Sequence, residues 1–514
     1  MRSRINQPVY RFLILLTLLL LLRVPYLFTH HVQEDAYISL RCAENLAESG
    51  VYGFNPGEKV SSSTAHLYVF IAALVRLVVG HAAFVPAMLI LNILFFLIGT
   101  FLIARVLIDG EKVQLLLWAF VSVLPVSLLI SFSGMETSLL VLLVGLALYL
   151  FHHNKRRVLA WLVLALLPWV RPDAVAYALL VVFWFSVRDQ RLDWGSLGAV
   201  VVGSATLLLF NQVYFGAALH QSINAKLLMR HSFSWNGLLQ NVGTVFVGRA
   251  DGGIFSPIRT KYLSGFGALF LVIILAATAI YLWQIRTERK SLINGLLIGS
   301  MALLIPLAYA FGGVLYQWYF WPSATLGYAL LLTVLLRISD GTNLLSKFIR
   351  AAIIIALLAA AIAQWAFSYS WGMKEYAYRG GIGVWLQQNA RSGDRVLLEP
   401  AGYIPYYSGL YTYDEVGLVS PQVVTYRQAY ELRWWPEFVM DFQPEWIIQR
   451  GHIMNDTTYQ GYKFSGDERE WFHQHYQLAA SFTFRPEDYA EQPFFVQLLS
   501  LGQADDYYAF RRVK

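Results

Sequence analysis

Residues 66–79 read HLYVFIAALVRLVV, and the topology of everything downstream turns on whether those 14 residues cross a membrane. They are apolar, yet a bilayer core of ~30 Å needs about 20 helical residues, and this run also carries Arg76. Counted as a crossing, it would send His152, Lys155, Arg156 and Arg157, and then Arg286, Arg289 and Lys290, to the outer side. Treated as re-entrant or interfacial, it leaves Arg2, Arg4, Arg105, Lys112, Lys155, Arg156, Arg157, Arg188, Arg191, Arg286, Arg289, Lys290, Arg337, Lys347 and Arg350 on the cytoplasmic side. The second arrangement obeys the positive-inside rule and is adopted.

Eleven other apolar runs are expected to cross: about 11–29, 83–107, 113–132, 136–151, 158–170, 172–187, 194–215, 264–284, 291–311, 317–336 and 347–369. The first follows Arg2 and Arg4 like a signal peptide but lacks a small-residue cleavage site, so it reads as an uncleaved helix. The 514-residue chain is 14% charged and 57% hydrophobic, against roughly 25% charged in a soluble domain, which excludes an ordinary soluble enzyme. Residues 371–514 hold 13 Lys/Arg and 18 Asp/Glu, leaving 26 and 14 for residues 1–370. The fold expected is therefore a polytopic α-helical membrane protein over 1–370, with about eleven transmembrane helices plus a re-entrant or interfacial segment. A C-terminal soluble α/β domain over 371–514 follows outside the cytoplasm. Within it, 382–388 suits a helix and 395–398, 445–449 and 507–511 suit strands; Asp414 and Glu415 read as solvated acids at a strand end. The single cysteine, Cys42, excludes an intrachain disulfide or a CxxC site. The basic surplus lies between apolar segments, where topology explains it, and no nucleic acid partner is expected.

Chemistry is sought in the outer loops, about 30–82 and 215–263, because long loops between membrane helices are commonly functional. In the first, Tyr37, Leu40, Arg41 and Glu44 share one helical face, which suits a short helix starting near Asp35; Asp35 could then be a simple cap. Ser133-Gly134-Met135-Glu136-Thr137 forms an outer turn, where Glu136 is either functional or a solvated helix-start carboxylate. Arg171-Pro172-Asp173 separates two apolar runs of only 13 and 15 residues, so the connection should be recessed. An Arg and an Asp at that depth are costly unless paired or facing a wet cavity. The second loop carries Asn224, Lys226, Arg230, His231, Arg249, Asp251, Arg259 and Lys261, a cationic set suited to a phosphate or to lipid headgroups. Tyr316-Gln317-Trp318-Tyr319-Phe320-Trp321 suits an interfacial belt and equally a sugar-stacking surface.

The order Glu34-Asp35-Ala36-Tyr37-Ile38-Ser39-Leu40-Arg41, Asn45-Leu46-Ala47, Phe54-Asn55-Pro56-Gly57-Glu58, Ser133–Thr137 and Arg171-Pro172-Asp173 resembles the polytopic GT-C glycosyltransferases. It is most similar to the mycobacterial terminal β-(1→2)-arabinofuranosyltransferases, and more distantly to aminoarabinose and protein-O-mannosyl transferases. Relatives tend to show Glu-Gly-Tyr-Thr where this chain has Ser61-Ser62-Ser63-Thr64, and an aromatic at Cys42. The resemblance implies inverting transfer of a sugar, a pentose such as arabinofuranose or a hexose, from a polyprenyl-phosphate donor to a cell-envelope glycan or glycolipid. The expected location is a bacterial inner membrane, with the N-terminus cytoplasmic. Asp35 would be the base and Glu136 a second catalytic acid. Lys226 and Arg171, followed by Arg230, Arg249 and Arg259, would hold the donor phosphate. Glu34, Tyr37, Arg41, Asn55, Asp173, Asn224, Trp318 and Tyr319 are expected to bind substrate. No ligand cluster demands a metal, so no cofactor is required, although a divalent cation is compatible with the acids present. Two other functions share the pattern of polar residues at helix ends: a flippase for lipid-linked sugars, and a non-catalytic polysaccharide-binding membrane protein. The first would be expected to show internal repeats, and none is evident.

Overall fold

A computed structural model describes residues 7–153, 157–228, 232–247, 256–313, 316–339, 344–450, 458–459, 462–489, 491–500 and 504–513. The membrane half runs α1 (Gln7–Leu21), α2 (Val24–Leu27), α3 (Ala36–Ser49), α4 (His66–Leu107), α5 (Glu111–Val123), α6 (Pro125–Phe132), α7 (Thr137–His152) and α8 (Arg157–Val170). It continues with α9 (Val175–Asp189), α10 (Trp194–Phe215), α11 (Gln221–Leu227), α12 (Trp235–Val247), α13 (Ser256–Gln284), α14 (Arg289–Phe311), α15 (Gln317–Ile338) and α16 (Leu344–Gly372). All eleven apolar runs read from the sequence are helical.

The segment 66–79 forms the first arm of α4, and the helix breaks at Gly80, whose φ of 76° suits glycine alone at low cost. Leu74, Leu77 and Val78 on that arm are exposed. Among the described residues, seven helices are long and apolar enough to cross a membrane, or eight if α5 and α6, bent by 70°, form one span. The count of eleven full crossings is not reached, because α7, α8 and α9 have only 16, 14 and 15 residues. Of these, α7 is almost wholly buried among its neighbours, so protein supplies its surroundings. Residues 215–263 were read as a loop, yet α12 and the start of α13 are a helical hairpin. Gly243 and Gly267 let the two backbones touch, and a Cβ at Gly267 would lie 1.9 Å from the Leu239 carbonyl oxygen.

A π-helical turn, Met373–Gly380, leads from α16 into the C-terminal region. There α17 (Gly381–Asn389), β1 (Arg395–Leu398), α18 (Tyr403–Ser408), β2 (Tyr411–Asp414), α19 (Pro421–Tyr430), α20 (Trp434–Phe442) and β3 (Trp446–Arg450) precede a short hairpin, β4 (Thr458–Tyr459) with β5 (Tyr462–Lys463). Then follow α21 (Gly466–His475), β6 (Tyr476–Phe482), α22 (Phe494–Ser500) and β7 (Tyr507–Arg512). The main sheet is ordered β2-β1-β3-β7-β6, with β1 parallel to β2 and β3 and the other pairs antiparallel. Both faces are covered: Leu397, Ile447 and Phe510 pack toward Trp435 and Phe438, whereas Val396, Leu398 and Ile448 pack toward Ile382 and Leu386. This alternation is what a sheet between two helical layers requires.

Loop one is not a free loop but the seam between the two halves. Arg41 on α3 donates to the carbonyls of Phe54 (2.9 Å), Pro405 (2.5 Å) and Leu410 (2.7 Å). Asn55 pairs with the backbone of Thr412 in both directions, at 3.0 and 2.9 Å. Glu34 accepts from the amides of Gly402 and Tyr403 at 2.6 and 3.0 Å, and Tyr37 shares a hydrogen bond with Tyr407 at 3.2 Å. The C-terminal domain is thereby pinned onto α3.

Candidate active site

Six residues from five separate segments meet in one cleft of about 460 Å³, its open mouth included: Asp35, Glu136, Arg171, Lys226, Trp318 and Tyr319. Asp35 stands immediately before α3, but its side chain makes no capping bond. A capping role is therefore excluded, and no hydrogen bond to a described residue ties the carboxylate. Burial pushes its carboxyl above the ordinary aspartate range, and the Lys226 charge opposes that shift. A half-buried carboxylate held near a cation and free of other bonds is suited to take a proton.

Arg171 sits between α8 and α9, helices of 14 and 15 residues, each shorter than the ~20 residues that a full span needs. It is buried at 2% exposure. Its Nε and Nη2 form a fork on Asp173 at 3.1 and 2.9 Å, which keeps the charge pair affordable at that depth. Asp173 also accepts from Tyr309, and its role is to hold Arg171 rather than to line the cleft. Nη1 of Arg171 has no hydrogen-bond partner; the nearest acid is Glu136, with Oε1 at 3.6 Å. The guanidinium lies 4.1 Å from the Tyr319 ring centroid. Glu136, at 7% exposure, is buried in the cleft wall rather than solvated.

Lys226 lies on α11 with Nζ 5.2 and 5.6 Å from the ring centroids of Tyr316 and Tyr319. Burial disfavours its ammonium, but Tyr319 and Asp35 more than offset this and hold its pKa above the usual lysine value. It forms no ion pair among the described residues, so its charge is available to an anion. Helix α11 is anchored at both sides of the cleft: Gln221 N donates to Ser61 Oγ at 2.9 Å, and Gln221 Nε2 donates to Gly417 O at 2.9 Å.

Several expected substrate contacts are corrected. Glu34, Tyr37, Arg41 and Asn55 do not line the cleft; their polar groups are spent on the C-terminal domain. Asn224 lies on α11 but outside the cleft lining. Arg230 and Arg249 lie outside the described residues, and Arg259 belongs to the first turn of α13. No sequence pattern points to Ser39, Ser62, Ser63, Thr64, Ser222 or Leu418, yet all line the cleft. The only hint was the departure at Ser61–Thr64 from the pattern of relatives. Leu418 comes from the far domain, on the turn after β2. Asp414 accepts from the amides of Leu418 and Val419 at 2.7 and 2.8 Å. Glu415 accepts from Trp435 Nε1 (2.7 Å), Tyr462 (3.1 Å) and Gln449. Both acids are buried, at 1% and 3% exposure, not solvated as the sequence suggested: they shape the turn that carries Leu418. Among the described residues no group of three or more His, Cys, Asp or Glu could hold a metal ion.

Residues 365–509 match the family described as a domain of unknown function, DUF8728, and no curated protein matches the chain. Among solved structures, ArnT from Cupriavidus metallidurans bound to undecaprenyl phosphate is similar at a TM-score of 0.55 and 12% identity, with 97% of each chain covered. The chain has the GT-C fold. The oligosaccharyltransferase of Archaeoglobus fulgidus also shares it, at a TM-score of 0.52 and 12% identity over 96% of this chain and 74% of that one. The similarity to ArnT extends through both halves of the chain, so the C-terminal domain and the membrane helices are together part of the shared architecture.

Proposed function

We propose that this protein is an inverting glycosyltransferase that moves a sugar from a polyprenyl-phosphate donor to an acceptor hydroxyl, with Asp35 as general base. The observation that carries the reading is the unbonded Asp35 carboxylate in one cleft with the unpaired Lys226 and the partly paired Arg171. The fold is that of a protein crystallised with undecaprenyl phosphate, which supports a lipid-phosphate donor.

The chemistry follows from the arrangement. An alcohol is far too weak an acid to ionise near neutral pH, so its proton must leave as the oxygen attacks the anomeric carbon. Asp35 accepts that proton while the acceptor oxygen bonds to carbon. The bond from that carbon to the phosphate oxygen breaks, and its electron pair leaves with the lipid phosphate. Negative charge grows on the leaving phosphate, where Lys226 and Nη1 of Arg171 stabilise it. Glu136 and Asp173 fix the guanidinium, and Trp318 and Tyr319 offer rings to the sugar face. The pentose arabinofuranose, a cell-envelope glycan acceptor and an outer-leaflet orientation in a bacterial inner membrane are the finer parts of the proposal, resting on the loop-one resemblance and the positive-inside count.

The test is release of polyprenyl phosphate by purified protein in lipid nanodiscs, given polyprenyl-phosphate arabinofuranose, polyprenyl-phosphate hexoses and an oligosaccharide acceptor. Product of inverted anomeric configuration is expected with wild type, and about a hundredfold less or lower still with Asp35→Asn. Translocation of the intact donor without cleavage would overturn the reading in favour of a flippase.

A further inference from the structure

A second cavity, of about 1050 Å³ with its open mouth included, lies at the opposite ends of α8 and α9 from Arg171, some 20 Å away along 14-residue α8. Its walls carry Arg157, Arg188, Arg191, Asp189 and Asp193 with Trp161 and Trp194. The two acids are already committed. Asp189 is forked by Arg188, at 2.7 and 3.2 Å, and Asp193 caps α10 by accepting from the Ser196 amide and hydroxyl at 3.2 and 2.6 Å. Arg188 also donates to the Phe151 carbonyl at 2.9 Å. Arg157 and Arg191 have no side-chain hydrogen bond or close ion pair among the described residues; both feel the charge of Asp189, but with Arg188 three guanidiniums stand against that one carboxylate and the capping Asp193, so the cavity wall keeps a cationic surplus.

The surroundings state what such a cation pair would meet. Trp194 is 72% exposed, and Trp161 packs so closely on Gly195 that a Cβ there would lie 2.4 Å from its ring. Leu192 of the lining is exposed, as are Val158 and Leu162 on α8 and Val187 on α9. Exposed aliphatic residues beside tryptophan and arginine mark the level of the lipid headgroups. Free arginines at that level, in a cavity between helix ends, are suited to a headgroup phosphate. We infer that this cavity is a binding site for the phosphate of an anionic phospholipid, at the membrane face opposite the catalytic cleft. The inference rests on none of the proposed transfer chemistry.

Native mass spectrometry of the full chain, from an uncharged detergent, reads the site directly with phosphatidylglycerol, phosphatidylcholine and inorganic phosphate as probes. Wild type is expected to retain phosphatidylglycerol at least tenfold better than phosphatidylcholine, with the preference lost in R157A/R191A and largely kept in R157K/R191K. Asp35→Asn should keep it, since the catalytic cleft is elsewhere. Competition by millimolar inorganic phosphate would support the same phosphate chemistry and show that the ion suffices without the lipid. An equal preference for phosphatidylglycerol in wild type and R157A/R191A, with both variants folded by circular dichroism, would overturn the site, as would loss of the preference in Asp35→Asn.

Discussion

Glu34 and Asp35 are chain neighbours with the same charge, yet they serve opposite ends. Glu34 binds two amides of the C-terminal domain and lies beside Arg379, 3.7 Å from its Nη1; the Asp35 carboxylate has no hydrogen bond to a described residue and lines the cleft. The same division continues along α3, with Tyr37 and Arg41 turned to the docking seam and Ile38 and Ser39 to the cleft. A carboxylate engaged by fixed donors stabilises an interface, whereas one left unbonded in a half-buried cleft remains free for proton transfer. The acidic pair in loop one is therefore a hinge point between architecture and chemistry, and substitutions on its two faces should fail in different ways.

The largest effect is expected at Asp35. Asp35→Asn should lower turnover by about 10²–10⁴-fold, the span a general base contributes, while the melting temperature in detergent stays within a few degrees of wild type. Comparable loss of melting temperature would return Asp35 to the structural face. Arg41→Ala should do the reverse in kind, removing three charge-assisted bonds and leaving buried carbonyls unpaired. A destabilisation of roughly 2–4 kcal/mol, seen as earlier unfolding and faster proteolysis of the C-terminal domain, is the expected outcome. Lys226→Ala should reduce kcat/KM for the lipid donor by roughly tenfold to a hundredfold without changing stability, as befits loss of one phosphate-stabilising group; an unchanged value would separate Lys226 from the donor.

Smaller is the pH response of the seam and its neighbouring turn. Burial, and then the charge of Glu375, push the Glu34 carboxyl above the usual glutamate range. Burial pushes Glu415 up to about 7. Both groups hold protons in the folded chain that the unfolded chain releases, so their contribution is complete below the ordinary glutamate pKa and is lost as pH rises through the folded value. Thermal stability should therefore decline from about pH 4.5 to about pH 8, the Glu415 share ending near 7 and the Glu34 share near 8, and Glu34→Gln should flatten its share of that slope. Gly402→Ala is a sharper structural probe, because its Cβ would lie 2.3 Å from Glu34 Oε1 and should loosen the seam at every pH.

What could be read from the chain depended on whether a residue's role was local. Hydropathy marked eleven apolar runs that became helices, though not α12, and the Arg171–Asp173 spacing already implied a pair between two short helices. The placement of Asp35 at the start of α3 was legible from periodicity on its own. Missing were the consequences of long-range docking. Arg41 and Asn55 stand in a strong pattern, but nothing local distinguishes a residue that binds sugar from one that binds a backbone 357 or more positions away. Ser62, Ser63, Thr64 and Ser222 are small, common residues whose proximity exists only after α11 docks on loop one.

Leu418 belongs to the region matched by DUF8728, whereas every acid and cation of the cleft precedes that region. The recognisable domain is thus not an interchangeable module appended to a finished cleft. Grafting it from a distant relative would bring a different turn against α11, and, under the proposed transfer, the reshaped wall would alter which acceptors enter before any acid or cation of the cleft had changed.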